Sequence, residues 1–114
     1  MNSSVKNNIR SSNPFERIIF EKGLRAIDLR IYKKQDLMVA ILNNGTAIQV
    51  KLSEYPVLKN ASVSSLSNHQ FVHNGTGFYW KSLRYDISLK NLLEKSAVMD
   101  SLQKIEYTGN LELA

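Results

Sequence analysis

His69 and His73 are the chain's only histidines, and they lie four residues apart. On a helix that spacing would place both rings over one metal ion. Metal chemistry there needs further donors, and the first acid downstream is Asp86. The glycine and aromatic run after His73 also favours a strand or turn over a helix, so the pair reads as two polar histidines. Thirteen serines make a Ser–His–Asp combination cheap to compose, but none stands in a Gly-x-Ser-x-Gly elbow. The ten acids are scattered singly, with no adjacent pair to divide acid and base roles. "GTGFYW" contains Gly75 and Gly77 but lacks the third glycine and the helix opening of a phosphate cradle. Without cysteine there is no disulfide, thiolate nucleophile or cysteine zinc site. The expectation is a protein that is not an enzyme and uses no cofactor.

What remains is recognition. Lys and Arg exceed Asp and Glu by five, and the whole excess sits in residues 1–34, which hold eight basic residues and three acids. Arg25, Arg30, Lys33 and Lys34 could share one exposed sheet face and meet a polyanion. A second surface is offered by Tyr79, Lys81 and Arg84, which alternate with apolar residues in "HNGTGFYWKSLRYDIS". Aromatics interleaved with cations resemble stacking surfaces on sheets. The competing reading has Phe78 and Trp80, two apart, filling the core while Tyr79 and Lys81 face water.

Elements must hold these residues in place. At 114 residues the chain fits one domain with its own core. Residues 1–13 are polar, rich in Ser and Asn, and read as a loose tail; the domain spans 14–108, and 109–114 fray. In "SNPFERIIFEKG", Asn13 can cap a helix with Pro14 in its first turn and Gly23 at its stop. Phe15, Ile18 and Ile19 would share its inner face; the competing reading is a strand at "RIIF", which its β-branched pair suits equally well.

"AIDLRIY" alternates, with Ile27, Leu29 and Ile31 on one side and Asp28, Arg30 and Tyr32 on the other. "LMVAIL" is apolar on both faces, as a central strand is. Asn44–Gly45 signals a hairpin, and "TAIQVKL" returns with Ile48, Val50 and Leu52 inward. These make a three-stranded antiparallel meander.

Ser53 and Ser62 stand where caps of two short helices would be. "FVHNGTGFYW" reads as two short strands around a glycine turn. Asp86 then stops the second strand, and Ser88 caps a helix carrying Leu89, Leu92 and Leu93. "AVMDSLQKI" continues that helix or starts another. The fold class is α+β: a small antiparallel meander sheet with short helices and a C-terminal helix. No stretch is long and apolar enough for a membrane span, and the N-terminus lacks the apolar core of a secretory signal. A cytoplasmic location without membrane contact is expected, and the two Asn-Gly-Thr triplets read as turns.

The order of motifs from "LNNGTAIQVKLSEYPVLKNAS" through "LSN" to "GTGFYWKSLRYDISLKNLL" resembles the prokaryotic domain of unknown function 2442 family over roughly residues 26–95. The positions carrying it are Gly45, Leu52, Tyr55, Pro56, Leu58, Asn68, Gly75, Gly77, Trp80, Asp86, Ile87, Ser88, Leu92 and Leu93. The chain departs from the family at Arg84 and Tyr85, where acids usually precede Asp86, and at Val57, where an arginine is usual. The resemblance implies an α+β domain with an antiparallel sheet and no established activity. Some relatives look like antitoxin-type partners of small proteins, and others carry DNA-binding segments. Together these readings give a small accessory or regulatory protein that binds another protein, antitoxin-like in style, without turnover and without using His69 or His73. Nucleic-acid binding through the basic first third is the alternative.

Overall fold

The computed structural model describes residues 13–97. The expected polar tail before Asn13, the segment 98–108 and the frayed end 109–114 lie outside the described residues.

Helix α1 spans Pro14–Phe20. Its start is fixed as the sequence suggests: the Asn13 side-chain oxygen accepts from the Phe15 and Glu16 amides at 2.9 and 3.0 Å. Pro14 takes a position whose N–H would be unpaired in any case. Only Ile19 of its inner face is buried; Ile18 and Phe20 are exposed.

Strands β1 (Ala26–Tyr32), β2 (Leu37–Leu42) and β3 (Ala47–Lys51) form the expected antiparallel meander. Residues directly opposed in an antiparallel pair share a face. Leu29, Ala40 and Ile48 therefore form one inner row, and Ile31, Met38 and Val50 the next. The inward placement of Ile27 is overturned. The β1–β2 register slips between Ala26 and Asp28, a bulge, so Ala26 enters the core and Ile27 is 60% exposed.

Asp36, in the β1–β2 turn, has a left-handed backbone with φ of 54°. Its carboxylate accepts from the Ser53 amide (2.8 Å), the Ser53 hydroxyl (2.7 Å) and the Lys59 ammonium (3.2 Å). The Ser53 hydroxyl bond, and then Lys59 against the opposing cost of burial, hold the Asp36 carboxyl below the usual aspartate value. Ser53 is thus spent on Asp36 and does not cap a helix. It lies in a single turn, Leu52–Glu54, and α2 (Pro56–Lys59) starts after Tyr55. Ser62 does cap α3 (Val63–Ser67), accepting from the Ser65 amide at 3.1 Å.

Instead of a strand pair, the second half of the chain forms a second three-stranded antiparallel sheet: β4 (His69–Val72), β5 (Gly77–Trp80) and β6 (Tyr85–Ser88). Asp86 does not stop a strand; it pairs with Tyr79 inside β6. Ser88 ends β6 and caps the C-terminal helix α4, residues 89–97 as described, by accepting from the Asn91 amide at 3.0 Å. One core unites both sheets and the helices. Phe78, Trp80, Met38, Leu52, Leu58 and Leu89 have no exposed surface. Tyr55 is buried against α4 and donates its hydroxyl to the Asn91 side-chain oxygen at 2.5 Å. Burial pushes its phenol well above the ordinary tyrosine range.

Candidate functional site

The alternation of β5 decides which aromatics are structural. Gly77, Phe78, Tyr79 and Trp80 form β5; Phe78 and Trp80 are fully buried while Tyr79 is half-buried. The Trp80 indole N–H donates to the Leu66 carbonyl at 3.1 Å, fastening the sheet to the end of α3. Its ring lies 6.3 Å from His69 and 6.5 Å from Tyr85, and Phe78 meets Phe71 edge-on at 5.4 Å. These contacts place half of the aromatic run in the core.

The opposite face of the same sheet is the outward one. Gln70, Tyr79 and Asp86 stand side by side across β4, β5 and β6. Beyond Tyr79 the chain makes a single helical turn, Lys81–Leu83, closed by the Arg84 amide donating to the Lys81 carbonyl at 3.2 Å. Arg84 follows with a left-handed backbone, φ 49° and ψ 47°. The turn and the start of β4 border an open concavity of about 980 Å³. Ser67, Asn68, His69 and Gln70 line one side of it, and Tyr79, Lys81, Ser82 and Arg84 the other. Among the described residues no carboxylate lines it. Arg30, Lys59, Lys90 and Lys95 each pair with an acid, whereas Lys81 and Arg84 enter no ion pair among the described residues. The sequence pointed to Tyr79, Lys81 and Arg84, and the structure brings all three to this concavity.

It does not bring together the four basic residues of the first third. Arg25 and Lys33 flank β1 at its two ends, eight residues apart and so roughly 25 Å along an extended strand. The Arg25 guanidinium donates to the Ile19 and Leu24 carbonyls at 2.6 and 2.8 Å, satisfying oxygens around the end of α1. The Lys33 ammonium is bound to the Ala61 carbonyl. Arg30 pairs with Asp28 at 3.0 Å, which holds the Asp28 carboxyl below its usual value. Lys34 alone is exposed without such a bond among the described residues. The expectation of one shared cationic sheet face is therefore corrected: two of the four cations complete backbone hydrogen bonding, and a third is neutralised by its neighbour.

The histidines part company as well. His69 directs Nδ1 at the Leu66 carbonyl, 3.3 Å away, and lines the concavity. His73, with φ of 52°, lines a separate crease of about 270 Å³ between α1 and β6, together with Asp86, Glu16 and Lys90. Among the described residues, no three metal-ligating side chains converge on one point. Of the family-motif residues, Gly45 and Gly75 adopt positive φ in the two Asn-Gly turns, Pro56 opens α2, and Gly77 opens β5. They are turn, cap and core positions. The polar side of the concavity contributed by Ser67, Asn68 and Gln70 was not singled out from the sequence. Its signal is the outward place of Gln70 in "HQFV", which matters only once β4 is set beside β5.

Two solved structures are similar in fold. The structure is similar to the crystal structure of a protein of unknown function from Rhodospirillum rubrum, with TM-score 0.56 and 25% identity, covering 62% of this chain and 86% of that one. It is also similar to the solution structure of an uncharacterized protein from Chromobacterium violaceum, with TM-score 0.58 and 22% identity, covering 75% and 78%. No curated protein matches the chain. Among the described residues no helix is long and apolar enough to cross a membrane. The model of the family described as "Protein of unknown function (DUF2442)" matches residues 27–97, most of the chain and nearly all of the two-sheet core, and the chain belongs to that family.

Proposed function

We propose that this protein is a non-enzymatic accessory module that binds another protein, in the manner of a small antitoxin-like partner, through the outward face of its second sheet. The observation that carries this reading is the open concavity beside Tyr79, where Lys81 and Arg84 enter no ion pair among the described residues. An exposed cationic depression beside a rigid sheet suits a docked protein segment, because charge complementarity selects and orients a partner. Nucleic-acid binding through the basic first third loses support from the bonds that occupy Arg25, Arg30 and Lys33.

The test is affinity capture from native-host lysate with the full chain as bait, in nuclease-treated and untreated halves. One protein should be enriched in both halves, and the Lys81→Glu/Arg84→Glu bait should lose it by about tenfold or more while keeping its melting temperature. Enrichment that disappears with nuclease, or that ignores the charge reversal, would refute the reading.

A further inference from the structure

We propose that the open edge of β3 pairs antiparallel with the same edge of a second copy of this chain, across a twofold axis at Gln49. β3 is an outer strand of the first sheet, so β2 occupies only one of its sides. Bonds at both ends of the β2–β3 ladder show which residues face which side. The Leu42 amide donates to the Thr46 carbonyl at 2.8 Å, and the Leu52 amide to the Asp36 carbonyl at 3.2 Å. Opposed pairs in an antiparallel ladder alternate between bonded and non-bonded. Ile48 and Val50 therefore turn their backbone groups to Ala40 and Met38, while Ala47, Gln49 and Lys51 turn theirs to the open edge. All three are exposed, and among the described residues no hydrogen bond reaches their outward backbone groups.

The other edge of this sheet is guarded. Asp28 accepts from the Leu29 amide at 2.9 Å, Lys33 is bound to the Ala61 carbonyl, and Val63 and Leu66 of α3 flank Leu29 and Ile31. β3 has no bulge against β2 and no proline, and its one charge is Lys51. It is also its own complement. With Gln49 opposite the second copy's Gln49, each Ala47 meets a Lys51, and these pairs exchange both N–H···O bonds. On the inner face the half-buried Ile48 meets the second copy's Val50 and extends the core across the axis. The two Lys51 residues then stand about 14 Å apart along the strands, beyond the roughly 8 Å reach of charge at physiological salt. A slip that sets Lys51 against Gln49 would bring them to about 7 Å and leave Ala47 unpaired. A single strand edge buries less than the roughly 1,200 Å² of a stable interface, so dissociation in the micromolar range or above is expected. The pairing uses no residue of the concavity, so the dimer carries two docking faces.

Sedimentation equilibrium of the full chain at low salt, from micromolar to near-millimolar concentration, tests this. The mass should rise from that of one chain towards that of two. Gln49→Pro removes an N–H that faces the open edge rather than β2, so the variant should stay monomeric with a nearly unchanged melting temperature. The exposed position 47 tests the register without touching the backbone. Ala47→Glu, set against the second copy's Lys51, should dimerise about tenfold more tightly than Ala47→Lys. A single-chain mass at every concentration overturns the proposal. So does a dimer that survives Gln49→Pro, or one indifferent to the charge at position 47.

Discussion

Trp80→Ala is expected to cost about 3–5 kcal/mol of folding stability, because a fully buried indole leaves both a lost transfer energy and a cavity. A loss of that size should lower the melting temperature by more than about 10 °C in a domain of this length. Trp80 is the chain's only tryptophan, so the measurement should use circular dichroism or calorimetry, since the variant lacks the fluorophore. Two comparisons separate the causes. Trp80→Phe keeps much of the ring but removes the indole donor from the Leu66 carbonyl, to which His69 Nδ1 also points. One hydrogen bond and part of the ring are lost, so a smaller loss of about 1–2 kcal/mol is expected. Tyr79→Ala, on the outward face of the same strand, should hardly change melting. An unchanged melting temperature in Trp80→Ala would mean that the aromatic run is a surface.

Gly75→Ala should cost about 2–4 kcal/mol. Two effects add at this position. Its φ of +84° lies in the region where an L side chain is strained, and an added Cβ would sit 3.0 Å from the Ala26 carbonyl oxygen and 3.3 Å from Arg25 Cβ. The β4–β5 turn thus presses directly on the start of β1, joining the two sheets. Gly45 provides the control, having nearly the same φ of +88° but nothing within 4 Å of the added atom. Gly45→Ala should cost only the backbone strain, about 1–2 kcal/mol. Urea denaturation of the two variants reads the difference directly. Equal losses would show that the contact between Gly75 and β1 yields freely.

The meander and the helix caps were legible because their signals are local. Asn13 and Ser62 cap through hydrogen bonds spanning three residues or fewer, and Gly45 meets a turn requirement within its own hairpin. The mistaken placements have a common cause: each depended on a partner distant in the chain. Ile27 obeys strict alternation in the sequence, but the bulge that turns it outward is set by pairing with β2. Ser53 resembles a cap until Asp36, seventeen residues earlier, claims both its amide and its hydroxyl. Arg25 and Lys33 resemble free surface charge until the carbonyls of Ile19, Leu24 and Ala61 are brought beside them.

Strand β6 is a different case. Tyr85 and Ile87 alternate with Asp86 and Ser88, which is a strand pattern, yet Asp and Ser are also the residue types that end strands and begin helices. Ser88 does both jobs, closing β6 and capping α4. Of the candidate site, the half carried by one continuous run, Tyr79 to Arg84, was readable. The half contributed by residues 67–70 was hidden in the register between β4 and β5.

The claim that the outward face of the second sheet is the contact surface is tested most directly by site-specific photo-crosslinking in the native host. A photoreactive phenylalanine analogue is placed at Tyr79 in one strain and at Arg30, on the outward face of the first sheet, in another. The account predicts a discrete protein adduct from position 79, unchanged by nuclease, and none from position 30. An adduct from position 30 with nothing at 79 would place the partner on the other sheet and contradict it.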